Sequence, residues 1–186
     1  MEVVWYTAAS MDGRIADAHE SLGFLDTIGE RPDSAHEWTD FIGGVDALLM
    51  GAQTLRWLVG EGHALPHRGL PIWLLTHDRE LAQTAAAADP ATPVHHVEGE
   101  VGPVLDQIAA LGHRRTWLCG GGNVAGQALR ADRVDEVIVT IAPTVLGAGP
   151  ALFDAAGGLP QRRFRLAECV DAGGDAARLR WVRDRS

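Results

Sequence analysis

Three consecutive glycines, Gly120, Gly121 and Gly122, stand in WLCGGGNVAGQAL (117–129), where an apolar run of strand length gives way to helical spacing. Glycines at such a junction let backbone N–H groups approach a ligand closely, and the helix N-terminus that follows adds partial positive charge, a combination suited to a pyrophosphate. With Gly126 the segment reads GGGNVAG, so the GxGxxG dinucleotide fingerprint is absent. The plainer alternative is a tight turn with close helix–strand packing. Two further junctions share this grammar. DALLMGAQTLRWL (46–58) runs an apolar strand into Gly51 and a helix with Ala52 and Thr54 in its first turn, and PIWLLTHDREL (71–81) ends a strand in Thr76, followed by His77, Asp78 and Arg79. Each alone is ordinary helix capping. Together they favour a dinucleotide as ligand.

Other chemistries find less support. All 16 basic residues are arginine, which excludes a Schiff-base lysine and a P-loop lysine. The formal net charge of -9 repels nucleic acid and anionic membrane surfaces, so a small molecule is the expected partner. His63 and His67 are four apart, but Pro66 breaks the helix that would align them on a metal; His95 and His96 alternate across a strand. No metal is expected. Cys119 and Cys169 lie in separate strand-like segments without CxxC spacing, which reads as two buried thiols in a reduced, cytoplasmic protein. The tryptophans are mostly core by spacing, although Trp38 and Trp57 fall near the expected cleft, where either could stack on a planar ring.

The elements that must position these residues are legible. Apolar runs at 2–9, 46–50, 71–76, 93–97, 115–120 and 135–143 are nearly continuous, as strands buried on both faces are, which implies a mainly parallel sheet of α/β class. Helical spacing at 33–44, with Asp33 or Ser34 as N-cap and Gly43 as stop, and at 102–112, with Pro103 in the first turn and Gly112 at the end, supplies crossover helices. RFRLAECVDAGG and DAARLRWVRD alternate around a Gly-Gly turn, predicting a C-terminal antiparallel hairpin. The length of 186 residues suits a single domain. MEVVWYTAAS lacks both a basic n-region and a long apolar run, so it reads as a first strand rather than a signal peptide or membrane span. Stretches 10–32 and 58–70 are long, unpatterned loops of the kind that cover sites.

The order TAASMDGRIA (7–16), LLMGAQT (48–54), WLLT (73–76), WLCGGGNVAGQAL (117–129) and DEVIVTIAPTVLGAGPALF (135–153), closed by a hairpin, resembles the dihydrofolate-reductase-like superfamily over essentially the whole chain. The resemblance is nearest to the reductase domain of bifunctional riboflavin biosynthesis proteins and its small stand-alone relatives. It implies NADPH held by Gly51, Ala52 and Thr54 at one helix start, by Thr76, His77 and Arg79 at the adenosine end, and by Gly120, Gly121, Gly122, Asn123 and Val124 along the pyrophosphate and nicotinamide. Ser10, Asp12 and Gly13 would open a loop over nicotinamide and substrate. Pro143, Leu146 and Gly147 would line the substrate pocket, with Trp38 beside it. A homodimer is implied as well.

Departures from the family bear on substrate. The Asp-Asp-Pro run and following Arg that hold a ribosyl phosphate in the riboflavin-pathway reductases are replaced by RWLVGEGHALPHRGLP, leaving Arg56 or Arg68 for any phosphate, and Cys119 stands where they have a Glu before the glycines. Folate reductases have an Arg where this chain has Ala52, and Asp33, Glu37 and Asp40 do not fall at their acid's offset, which leaves these three as solvent-facing helix carboxylates. The expectation is an NADPH-dependent reductase of a small heterocycle or conjugated imine or carbonyl, with Arg79 and His77 reading the 2′-phosphate. The alternative is a nucleotide-binding or regulatory module of the same fold without turnover.

Overall fold

The computed structural model describes residues 1–29, 34–60, 65 and 69–185. Asp33, His63, Pro66, His67 and Arg68, singled out above, lie outside the described residues. In chain order the elements are β1 (Glu2–Ser10), a 3-10 turn (Gly23–Thr27), α1 (Ser34–Gly43), β2 (Ala47–Gly51), α2 (Ala52–Gly60), β3 (Ile72–Leu75), α3 (Arg79–Ala88), β4 (Val94–Val97), α4 (Val101–Ala110), β5 (Arg115–Gly120), α5 (Gly122–Arg130), β6 (Glu136–Ala142), β7 (Phe164–Gly173) and β8 (Ala176–Arg183).

All eight strands join one sheet in the order β4-β3-β2-β5-β1-β6-β8-β7. The six from β4 to β6 are parallel, and the hairpin β7–β8 adds antiparallel pairing onto β6. Gly174 and Asp175, at the hairpin tip, both have positive φ (58° and 61°), as a tight two-residue turn that follows the sheet's twist requires. Strand alternation sends neighbouring side chains to opposite faces. Val3, Trp5, Leu49, Leu118, Val137 and Val139 meet α4 and α5 on one face, whereas Val4, Leu48, Met50, Ile72, Trp117 and Ile138 meet α1, α2 and α3 on the other. Two buried layers explain why the strands are apolar at nearly every position. α4 ends as expected, with Gly112 at φ 93° just past its last turn.

Three expectations need correction. Residues 58–60 belong to α2 rather than to a loop. Cys169 is exposed on β7, because that strand forms the sheet edge; Cys119 is half-buried. Glu37 does not face solvent: its carboxylate pairs with Arg178 of β8 across the α1 face, beside Tyr6.

The glycine triplet meets protein before it meets any ligand. A Cβ at Gly122 would lie 2.0 Å from the Ala151 carbonyl oxygen, and one at Gly126, a turn later on α5, 2.0 Å from that of Asp154. A Cβ at Gly120 would meet Thr54 Oγ1 at 2.5 Å. At Gly121 the nearest atoms would be Thr54 Oγ1 and Ile15 Cδ1 at 3.7 and 3.8 Å, an ordinary contact distance. Gly122→Ala and Gly126→Ala should therefore each cost about 1–3 kcal/mol or more in urea unfolding, since backbone must shift to admit the methyl, whereas Gly121→Ala should unfold close to the wild-type midpoint.

Candidate active site

The carboxyl ends of β2, β3, β4 and β5 open into a cavity of about 570 Å³. Gly51, Ala52, Gln53 and Thr54 at the start of α2 and Gly121, Gly122, Asn123 and Val124 at the start of α5 line it, so two helix N-termini, with their partial positive charge, face the same space. The third candidate terminus is closed: Asp78 caps α3, its Oδ1 accepting the Leu81 N–H at 3.0 Å and its Oδ2 a bond from Arg56 at 2.9 Å. A carboxylate there opposes a phosphate.

Of the expected cofactor residues, the structure brings Gly51, Ala52, Thr54, Thr76, His77, Gly120, Gly121, Gly122, Asn123 and Val124 to the cavity wall. It does not bring Arg79, whose side chain is 77% exposed and lies 3.7 Å from the Glu98 carboxylate, outside the lining. Sequence reasoning missed Glu98 and Gly99, although VHHVEG repeats the strand-to-glycine grammar used elsewhere; both line the cavity after β4. Ile15, Ala16, Glu20 and Leu22 cover it from the loop after β1, and Gln53 donates to Glu20 across the mouth. Trp57 lines it and a neighbouring cavity of about 850 Å³, which shares Glu20, Leu22, Gln53 and Arg56 with the first.

The expected substrate residues behave differently. Ser10 donates its hydroxyl proton to Asp12 at 2.6 Å, and Asp12 accepts the N–H groups of Leu146 at 3.0 Å and Gly147 at 2.8 Å. Backbone bonds from Met11 to Thr144, Ile15 to Pro150 and Leu152 to Gly13 continue the join. Gly13 takes φ 72° to make the turn. Ser10, Asp12, Gly13, Leu146 and Gly147 thus form a clasp between two loops rather than a cavity wall, and exposed Pro143 also lies outside the lining. The clasp acts by fixing Ile15 and Ala16 over the cavity. Trp38 is likewise corrected: it stands edge-on to Tyr6 and Trp117, at 5.5 and 5.4 Å between ring centres, within the aromatic cluster beneath α1. Its helix sits over the middle of the sheet face, short of the strand ends.

Several titrating groups are displaced, Asp12 and Cys119 furthest. The Ser10 hydroxyl and the Leu146 and Gly147 amides hold Asp12 down to about 2, and burial pushes the Cys119 thiol up to about 12. Cys119, on the cavity wall, is thus held in its neutral thiol form. Among the described residues no group of His, Cys, Asp and Glu is placed to hold a metal, and no helix is long and apolar enough to cross a membrane. His95 stacks on Trp73 with ring centres 4.6 Å apart, while His96 Nε2 lies 2.8 Å from the Thr76 carbonyl oxygen.

A mainly parallel α/β sheet closed by an antiparallel hairpin, with paired helix N-termini at its strand ends, defines the dihydrofolate-reductase-like class of riboflavin-pathway reductase domains. The chain belongs to the RibD C-terminal domain family, whose model matches residues 63–177. It is 26% identical over 152 residues to "Uncharacterized protein YwjB" of Bacillus subtilis (strain 168), covering 82% of each chain. Its fold is similar to that of the "Putative riboflavin biosynthesis protein" of Shewanella sp. PV-4, with a TM-score of 0.85 at 24% identity over all of both chains. It is also similar to the diaminohydroxyphosphoribosylaminopyrimidine deaminase/5-amino-6-(5-phosphoribosylamino)uracil reductase of Thermotoga maritima (TM-score 0.70, 15% identity), covering 98% of this chain and 56% of that one.

The displaced groups give two expected results. At mildly alkaline pH a disulfide reagent should react with exposed Cys169 at least about tenfold faster than with Cys119 in the folded protein and with both alike after unfolding; equal rates in the folded state would contradict the raised Cys119 thiol. Because Asp12 has a depressed folded value, its contribution to stability is present above about pH 4, the unfolded value, and is lost as pH falls toward 2. Asp12→Asn should therefore lower thermal stability at pH 7, with the gap to wild type closing as pH falls from 4 to 2.

Proposed function

We propose that the chain is a reductase that delivers hydride from a reduced nicotinamide dinucleotide to a small planar heterocycle or a conjugated imine or carbonyl. The observation that carries this reading is the cavity between the N-termini of α2 and α5, with Gly121 as the one member of the triplet where an added methyl would meet its neighbours at no less than ordinary contact distance. NADPH, the form that RibD reductase domains use in general, is a competent donor on this reading. The residues fit such a group. Two sets of helix N–H donors suit a pyrophosphate, and the indole N–H of Trp5, a lining residue, is buried without an acceptor among the described residues.

When bound, the dinucleotide supplies the hydride. The protein's own part is to position and to exclude water. The loop at Ile15 and Ala16, pinned by the Asp12 clasp, closes one side; the Gly51 and Gly121 backbones form the floor; neutral Cys119 presents an uncharged wall. The acceptor lies toward Trp57, where the two cavities share their lining and where the indole offers a stacking face. Glu20, the carboxylate that lines both cavities, is engaged by Gln53, so the acceptor's proton comes from water. We place the enzyme in the cytoplasm as a single-domain homodimer joined through the exposed hairpin strand β7.

The second reading, a binding module without turnover, is favoured by the loss of the family's phosphate-holding Asp-Asp-Pro run with its following Arg and of its Glu at position 119. A titration with NADPH, read as energy transfer from tryptophan to the reduced nicotinamide, separates binding from no binding. Saturable binding is expected, weakened about tenfold or more in Gly121→Ala at unchanged melting temperature, because a methyl enters the floor. Oxidation of NADPH with any member of a pterin, pyrimidine and conjugated-imine panel then distinguishes reductase from module. Absence of binding would end the dinucleotide reading altogether.

A further inference from the structure

One part of the cavity wall is made by the residues that follow β3 and β4, namely Thr76 and His77 on one strand end and Glu98 and Gly99 on the next. On the dinucleotide reading, on which this inference rests, the adenosine ribose lies there. Its recognition differs sharply between the two common dinucleotides. A carboxylate after a strand accepts hydrogen bonds from ribose hydroxyls, whereas a 2′-phosphate calls for a guanidinium or another cation.

The charges here favour the hydroxyl. Glu98 lines the cavity. Its carboxylate lies 3.3 Å from His77 Nδ1, 3.6 Å from His96 Nε2 and 3.7 Å from Arg79 Nε, and the His77 contact foremost keeps it below the usual carboxylate range, so it is ionised at neutral pH. Arg79, the cation expected to read a phosphate, is mostly solvent-exposed and already faces Glu98. Among the described residues the lining guanidinium is that of Arg56, which is bonded to Asp78. Ala52, at the start of α2, adds no charge. A phosphate dianion here would thus meet the Glu98 carboxylate and two arginines that already face carboxylates, Arg79 with Glu98 and Arg56 with Asp78.

We propose that Glu98 is a specificity-determining residue that holds the hydroxyls of the adenosine ribose and opposes a 2′-phosphate, so that the cavity takes NADH at least as tightly as NADPH. Arg79 and His77 orient Glu98 rather than read the cofactor. This reverses the preference expected from the residue types at 77 and 79.

The test is a pair of titrations, NADH and NADPH, on the intact wild-type protein and on Glu98→Gln and Arg79→Ala, by tryptophan energy transfer and independently by calorimetry. The wild type should bind NADPH no tighter than NADH. Glu98→Gln should move the ratio of the two dissociation constants about tenfold or more toward NADPH, because a carboxylate charge leaves the 2′ position while the side chain's shape is kept. Arg79→Ala should leave that ratio on the NADH side. A wild type that prefers NADPH, or a Glu98→Gln ratio equal to the wild-type ratio, would overturn the inference while leaving the dinucleotide reading intact. A preference for NADPH that disappears in Arg79→Ala would assign the phosphate to the arginine instead. Failure of the wild type to bind either dinucleotide would remove the underlying reading and this inference with it.

Discussion

The site depends on one segment of backbone, residues 149–154, lying between the loop after β1 and the first turns of α5 with no side chain in the way. Gly149 would place a Cβ 2.2 Å from the Ala16 carbonyl oxygen, and Gly122 and Gly126 would place theirs 2.0 Å from the carbonyls of Ala151 and Asp154. Hydrogen bonds between main chains fill the contact, from Ile15 to Pro150, Leu152 to Gly13 and Asp154 to Gly122. Close backbone approach of this kind admits only glycine. Without it, the loop carrying Ile15 and Ala16 would stand away from the cavity, and the helix whose N-terminus faces the cavity would be displaced outward.

The two motifs that carry the family resemblance most specifically, SxDGxIA and PxxxGxGxxLF, are therefore halves of one joint. Asp12 belongs to the first and accepts bonds from the second. Their clasp residues, Ser10, Asp12, Gly13, Leu146 and Gly147, govern the site from behind by setting where Ile15, Ala16 and Pro150 meet the cavity. Electrostatics along the cavity are set separately, by Asp78 at the start of α3 and by Glu98 after β4, both from strand ends that the glycine-rich joint does not touch.

What was readable in the chain and what was not follows from this geometry. The strands were legible because a sheet covered on both faces demands apolar residues at almost every position, as at Leu48, Leu49 and Met50. The hairpin was legible because alternation and turn residues are local signals. The glycines at 120–122 were legible as a special place but not in their division of labour, since a missing Cβ looks the same in sequence whether a ligand or a carbonyl oxygen takes its space. Trp38 could not be assigned by proximity to the cleft, because helical spacing fixes which face is apolar but not how far along the sheet the helix lies. Arg79 and Glu98 are 19 positions apart, and only pairing of β3 with β4 brings them within 3.7 Å.

The strand order has a consequence for how the chain acquires its structure. β1 comes first in sequence yet lies in the interior of the sheet, between β5 and β6. Its Val3 N–H donates to Asp135, 132 positions away, and its register is fixed by partners from Arg115 onward. During synthesis β1 therefore emerges with apolar side chains for both faces and no neighbour to cover either, long before β5 and β6 exist. Folding must close very large loops before the central pairing returns any stabilisation, which makes for slow, high-contact-order folding and an exposed strand in the meantime. A truncated chain lacking β6 would keep β1 as a sheet edge, so the protein gains its centre only when its last third has been made.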